Sequence, residues 1–254
     1  MKSGYILSLD QKCGGCEVLI FDMDGYVRSR VYAESIHRGS AGGWLTQDPE
    51  EICSTAMLAV ADALAAGGIL PRELRAIGIT NESDAIVLWE RNSGRSIGCS
   101  IIRLGEDGVP QGDDLHSRRI EKMMHEGTGL AIEPHRFAGF KLCWMLDRLP
   151  ELRARAEQND IACGMLDSWL IYRLTGGKVH LTDISNALRT RLYDMRIGTW
   201  NRQLLDLLDL PIGILPRVRP LSEGYGETDH SAFFGVEGIP LAGIAEHQKA
   251  VLFG

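Results

Sequence analysis

The apolar run Tyr5-Ile6-Leu7-Ser8-Leu9 ends in Asp10, and Gln11, Lys12, Cys13, Gly14 and Gly15 follow at once. A carboxylate at the end of a strand, with glycine amides just beyond it, is where a divalent cation and phosphate oxygens could be held. The same loop carries Cys13 and Cys16 at a two-residue spacing used in metal and redox sites. No second such pair accompanies it, so two free thiols in a turn is the simpler reading. Asp48-Pro49-Glu50-Glu51 is acidic enough to suggest a metal cluster, but an N-cap, a proline in the first turn and acidic residues beside it explain the run as a helix start. His37, His116, His125, His180 and His230 show no ligand spacing.

The elements that must position these groups follow from the pattern. Two strands flank the glycine loop, and Asp24-Gly25 turns the second into a third over residues 27–33. A helix begins after Asp48, with Ile52, Ala56, Ala59, Val60 and Ala63 on one face, and stops at Gly67-Gly68. Residues 76–80 and 85–89 read as strands, and 105–114 as a loop. Helical periodicity returns over 115–125, 140–149, 151–158, 167–174 and 200–208, and the remainder is rich in proline, glycine and short strands. Trp144, Trp169 and Trp200 read as core aromatics, while Trp44 beside Gly43 borders a cleft.

With 254 residues, 44% hydrophobic and 24% charged, the chain can bury a substantial core. A net charge of -7 without clustered Lys and Arg argues against a nucleic-acid partner. There is no apolar run of membrane-span length, and Met1-Lys2-Ser3-Gly4 has no signal-peptide pattern, so a cytoplasmic location is expected. The six cysteines fit buried thiols better than a disulfide framework.

Several segments, taken together and in order, resemble the N-terminal half of the FGGY carbohydrate kinases, most closely their glycerol kinase branch. They include residues 5–11, Gly43-Trp44-Leu45 with 48–52, Ala76-Ile77-Gly78-Ile79-Thr80-Asn81, Lys141-Leu142 with Trp144, and Asp167-Ser168-Trp169-Leu170-Ile171. The series continues through residues 174–180, Thr182-Asp183, Asn186-Ala187, Arg189-Thr190, Gly226-Glu227-Thr228, and 241–245 running to Gly254. The resemblance implies an α/β fold: a ribonuclease H-like, actin-like ATPase domain whose five-stranded mixed sheet has helices on both faces. It implies one such domain over residues 1–254, and ATP and Mg2+ as cofactors if the protein is active. It also implies a sugar, polyol or sugar acid as acceptor. The family's second domain, which holds most of the adenine and ribose contacts, is absent from the chain. A second domain supplied separately, or a homo-oligomer covering the exposed interdomain face, is the expected partner.

By resemblance, Asp10 is the metal-associated aspartate. Gln11, Lys12, Cys13 and Gly14 form the phosphate loop, which here lacks the family's threonine hydroxyls, and Glu17 stands where glycerol kinases carry arginine. The acceptor positions hold Ser83, Asp84, Arg103 and His135, with Gln248 beside them. They replace a bidentate arginine clamp and an aromatic wall, so glycerol is a poor candidate and Arg103 and His135 favour an acidic acceptor. His247 occupies the catalytic aspartate's position, next to Glu246, whose side chain should point elsewhere. Imidazole is a competent general base near neutral pH. Two functions therefore stand side by side: a kinase with an altered acceptor, and a noncatalytic pseudokinase domain that binds a ligand or a protein. Val18-Leu19-Ile20-Phe21-Asp22-Met23-Asp24-Gly25 also resembles the opening of haloacid dehalogenase-type phosphatases, with Asp22 as nucleophile, although a preceding strand and Tyr26 favour an ordinary hairpin turn.

Overall fold

The structure is a computed structural model that describes residues 4–36, 38–39, 43–82, 84–105, 134–148 and 150–253. The strands that build and flank the site are β1 (Tyr5–Lys12), β2 (Gly15–Asp22), β3 (Val27–Glu34), β4 (Leu74–Asn81), β5 (Val87–Glu90), β6 (Ile161–Gly164) and β7 (Leu241–Glu246). The helices used below are α1 (Pro49–Gly67), α2 (Ala138–Asp147), α3 (Leu166–Leu174), α4 (Ile184–Arg189) and α5 (His247–Phe253). Helices Pro150–Glu157 and Arg202–Leu207 agree with the periodicity read over 151–158 and 200–208. The helix expected over 115–125 and nearly all of the loop expected over 105–114 lie outside the described residues, as do His37, Ser83, His116 and His125.

Five strands form one sheet in the order β7-β4-β1-β2-β3. Only β2 runs against the others: it pairs antiparallel with β1 and β3, whereas β1, β4 and β7 are mutually parallel. This is the five-stranded mixed sheet expected of a ribonuclease H-like fold. Local chemistry sets the ends of its elements. Asp22 Oδ1 accepts the backbone N–H groups of Asp24 (2.9 Å) and Tyr26 (3.0 Å), and Gly25 takes the left-handed conformation (φ 87°) that closes the hairpin. Asp48 caps α1 by accepting from the amides of Glu50 and Glu51, and Gly68 at φ 62° ends it.

The period-two alternation of the strands places Leu7, Leu9, Val18, Ile20, Ile77, Ile79, Leu241 and Ile244 on one face. Helix α1 packs there through Ala56, Ala59 and Ala63, whose small side chains allow close approach, and α3 joins through Leu170, Ile171 and Leu174. A second core gathers α2, Ile161 and Cys163 of β6, and the segment from Ala187 to Leu215. A third joins Trp89 of β5 to Trp169 and Tyr172 of α3, with the two indole rings 5.3 Å apart. Side chains on the opposite face of the sheet are less covered among the described residues: Ile6 is 38% and Tyr32 51% exposed, and Leu19 and Phe21 are half-buried. Asp10 belongs to this more open face, because it alternates with Leu9.

Candidate functional site

Asp10, two residues from the end of β1, is the centre of a compact polar cluster. Its carboxylate is mostly buried, and Oδ1 accepts a 2.5 Å hydrogen bond from the Thr80 hydroxyl on the parallel neighbour β4. His247, the first residue of α5, places Nδ1 3.3 Å from Asp10 Oδ1 and 3.2 Å from Oδ2. Lys12 Nζ lies 3.4 Å from Asp10 Oδ2 and donates at 2.7 Å to Glu17 Oε2. Arg30 then closes on the other oxygen of Glu17, with Nε at 2.6 Å. The hydrogen bond to Glu17 raises the Lys12 ammonium above its ordinary range, and the same bond lowers the Glu17 carboxyl. Two carboxylates are thus bridged by an ammonium and flanked by a guanidinium.

Other expected phosphate-loop residues divide by alternation. Gln11 is fully buried and donates to the carbonyls of Lys12 (3.0 Å) and Gly15 (3.2 Å), so its side chain braces the turn and does not face the open side of the sheet. Gly14 is exposed in the turn, and its carbonyl accepts from Ser35 N–H at 3.0 Å. Cys13 is half-buried against the third core, while Cys16 is fully buried in the sheet core. Burial raises the Cys13 thiol and pushes Cys16 up to about 12. The two thiols thus belong to different cores.

Of the residues expected at the acceptor site, Asp84 forms the centre of a second cluster, and among the described residues Arg103 and Gln248 make no hydrogen bond or ion pair with it. Asp84 receives Arg189 from the end of α4, with Nε at 2.8 Å, and Arg136 from the other side, with Nε at 2.8 Å. Burial pushes the Asp84 carboxyl up, but the Arg189 charge, aided by Arg136, outweighs it and holds the group below the usual range. Lys141, buried on α2, donates to the Asp84 carbonyl at 2.9 Å, and desolvation pulls its ammonium down to about 7. Arg189 also reaches Glu246 Oε1 at 2.7 Å. His135 is half-buried with Nδ1 3.2 Å from the Leu104 carbonyl, and Arg103 is exposed at the end of the neighbouring strand Ser100–Arg103. Gln248 is exposed on the first turn of α5.

A buried frame holds both clusters. Asp183 caps α4, accepting from Ser185 N (2.6 Å), Ser185 Oγ (2.5 Å), Asn186 N (3.1 Å) and Asn186 Nδ2 (2.6 Å). The Asn186 carbonyl oxygen accepts from Asn81 Nδ2 at 2.9 Å, and Ser185 Oγ accepts from Glu246 N–H at 2.8 Å. Helix α4 is therefore pinned between β4 and β7, which aims Arg189 at Asp84 and Glu246. Behind it Asp167 accepts from the Thr182 hydroxyl at 2.6 Å, and burial, with Asp183 nearby, pushes its carboxyl up to about 7.

The structure brings Asp10, Lys12 and His247 together, and it joins Asp84 to the turn that carries His135. The two groups meet in the chain at Glu246 and His247: the first faces Arg189 and the second faces Asp10. Glu246 therefore points away from Asp10, as adjacent side chains at a strand end should. Asp22 stands at the far end of the sheet, opposite Tyr5 in the register, and its oxygens serve the hairpin turn and Arg28 (2.7 Å). That is the hairpin reading of the segment 18–25. Thr80, Arg30, Arg136 and Lys141 were given no role in the sequence. Thr80 and Lys141 lie in segments that carry the resemblance, and Arg30 is set by the hairpin at Asp24-Gly25 diagonally across from Glu17 on the same face.

A directly held Mg2+ does not fit these residues. It needs near-octahedral oxygen ligands at about 2.1 Å, whereas the Asp10 oxygens already face Thr80, His247 and Lys12, and Glu17 is taken by Lys12 and Arg30. Among the described residues no group of three or more His, Cys, Asp or Glu side chains is arranged to hold a metal ion.

Comparison with known proteins fits this geometry. Residues 5–254 match the model of the FGGY family of carbohydrate kinases, N-terminal domain. The whole chain is 39% identical to a glycerol kinase of Carboxydothermus hydrogenoformans and 40% identical to one of Koribacter versatilis, covering 50% of each. The chain thus spans about half the length of the curated relatives it matches. Among solved structures, the glycerol kinase of Plasmodium falciparum with ADP superposes with a TM-score of 0.84 at 21% identity, over 98% of this chain and 49% of that one. A gluconate kinase of Lactobacillus acidophilus superposes with a TM-score of 0.76 at 16% identity, over 96% and 48%. At those identities the likeness is one of fold. The family match covers the sheet, both polar clusters and the frame between them, and the chain belongs to the FGGY family of carbohydrate kinases, as its N-terminal domain.

Proposed function

We propose that this chain is one lobe of a two-lobed phosphotransferase that moves the γ-phosphoryl group of ATP to a hydroxyl of a sugar, polyol or sugar acid other than glycerol. The observation that supports the reading is the placement of His247: its imidazole is held against Asp10 near the end of the central strand, at the position that corresponds by resemblance to the family's proton acceptor. Among the described residues Nε2 has no hydrogen-bond partner and is free to receive a proton. As the acceptor oxygen attacks phosphorus, the bond from phosphorus to the ADP oxygen breaks, and the hydroxyl proton passes to Nε2. Lys12 stands beside Asp10 to meet phosphate charge, with Gly14 in the turn beyond it.

The acceptor side supports a substrate other than glycerol. Asp84 is bound by two arginines, so its oxygens are not at the disposal of a polyol. Arg103, exposed at the end of its strand, with His135 on the adjacent turn, supports a carboxylated acceptor. The apolar side chains of the open sheet face support a partner that covers it, either the second lobe or another copy of the chain.

The direct test is ATP consumption by the chain, alone and mixed with a separately produced second lobe of the same family, over glycerol, neutral polyols, sugars and sugar acids. Turnover with a sugar acid in preference to glycerol is expected, and His247→Ala should lower it by about 10²- to 10⁴-fold. No ATP binding at millimolar concentration and no acceptor-stimulated turnover in either arrangement would overturn the reading. The pseudokinase alternative rests on the engagement of both Asp10 and Asp84 in ion pairs, and acceptor binding without turnover is its distinguishing result.

A further inference from the structure

We propose that Asp10 is a positioning residue for His247, forming an Asp–His dyad, and that the Lys12 ammonium takes the place of a divalent cation beside it. The inference deepens the phosphotransfer reading and rests on it for its role in the reaction, although the arrangement itself can be tested without turnover.

The geometry argues for it in three steps. Both Asp10 oxygens lie at nearly equal distance from His247 Nδ1, 3.3 and 3.2 Å, so the carboxylate faces that nitrogen squarely. A carboxylate can only accept, so Nδ1 carries the proton and the lone pair of the neutral ring sits on Nε2. The Thr80 hydroxyl, at 2.5 Å from Oδ1, fixes the carboxylate in turn. An imidazole held in one tautomer by a carboxylate, with its other nitrogen free, is a general base of defined orientation, and the imidazolium formed after proton transfer is stabilised by the same carboxylate.

The second step concerns charge. Lys12 Nζ spans Asp10 and Glu17 at 3.4 and 2.7 Å, and Arg30 neutralises the remaining oxygen of Glu17 at 2.6 Å. With His247 neutral, these four side chains sum to no net charge, so an incoming divalent ion meets two resident cations and no uncommitted carboxylate. The lysine at position 12, where the family carries glycine, and the glutamate at position 17, where it carries arginine, then belong together: the lysine supplies the positive charge, and the glutamate holds it in place.

In the third step, the one group replaces two. Asp10 no longer needs to ligate a metal, so its carboxylate becomes available to orient the histidine that stands in the base position.

Two spectroscopic measurements on the 254-residue chain test the arrangement. In long-range 1H–15N spectra of the histidine rings at pH about 9, well above the ordinary imidazole pKa, His247 should be protonated on Nδ1. Asp10→Ala should move that proton to Nε2. Protonation on Nε2 in the unaltered protein would overturn the dyad, and that result needs no variant to fold. In a titration with Mn2+, resonances of His247 and Thr80 should stay sharp in the unaltered protein and in Lys12→Arg, and broaden selectively in Lys12→Ala, whose half-exposed side chain can be removed without loss of core. Selective broadening in the unaltered protein would show a divalent site at Asp10 and overturn the substitution of metal by lysine. Turnover measured separately decides the phosphotransfer reading: an Nδ1 tautomer in a protein with no ATP-dependent activity leaves the dyad standing and removes only its catalytic use.

Discussion

Single side chains decide the chemistry offered by this lobe. Lys12 is held by Glu17 more than by any other group, and this is what raises its ammonium above the ordinary range. Glu17→Gln should therefore return Lys12 toward an ordinary lysine pKa, as followed by NMR of 13C-dimethylated protein. A value that stays put would mean that Glu17 is not the cause. The residues of this cluster were partly legible in the sequence. Asp10, Lys12 and His247 lie on segments singled out by the resemblance, and Glu17 is a visible departure from it. The contact between Asp84 and Arg189, by contrast, joins residues 105 apart and answers to no local pattern. Nor does sequence tell that Asp84 is tied at both oxygens, because that depends on α4 and the Pro134–Arg136 turn arriving from opposite sides.

At the scale of elements, caps and turns were the readable part. The hairpins of β1, β2 and β3 and both ends of α1 follow from Asp, Pro and Gly at positions where the backbone needs them. Helix α4 was not foreseen, since six residues are too few to show a hydrophobic period. Its existence rests on Asp183, which satisfies two amides at the helix start and two side chains besides. Asp183→Ala should cost about 1–2 kcal/mol from the cap alone, measured by urea unfolding, and should loosen Arg189 at the other end. A loss below a few tenths of a kcal/mol would show that β4 and β7 hold α4 without its cap. In β1, Leu9→Ala removes a buried side chain of the core that α1 and α3 share with the sheet, and about 2–5 kcal/mol of stability should go with it. Asp10 is the next residue, so the same variant tests how firmly the sheet core holds the site.

For the molecule as a whole, buried ionisable groups make stability depend on pH. Asp167 has no route to water, and its carboxyl is pushed up to about 7 in the folded state, against about 3.9 in an unfolded chain. Between those values the folded protein keeps a proton that the unfolded chain releases. The contribution of this group is therefore complete below about pH 4 and lost as pH rises through about 7. The difference in unfolding free energy between the parent and Asp167→Asn should shrink across that interval, by an amount of the order of a few kcal/mol. A difference independent of pH would show that Asp167 is ionised in the fold. Sequence could not supply this: the segment 167–171 matches a family motif, but only the packing around Thr182 and Asp183 removes the carboxyl from solvent.

A single peptide bond separates Glu246 from His247, yet one side chain is anchored to the arginine that binds Asp84 and the other to the central aspartate. On the phosphotransfer reading proposed above, the linkage would make acceptor choice and proton removal two ends of one lever. On that reading, retuning the grip on the acceptor would tilt the imidazole, and a double-mutant cycle between Arg189→Lys and His247→Ala should show their effects on turnover to be non-additive. Additive effects would mean that the two ends move independently. Swapping acceptors in this lineage would thus require matched changes on both sides of that bond, and single substitutions at either end should impair activity before they redirect it.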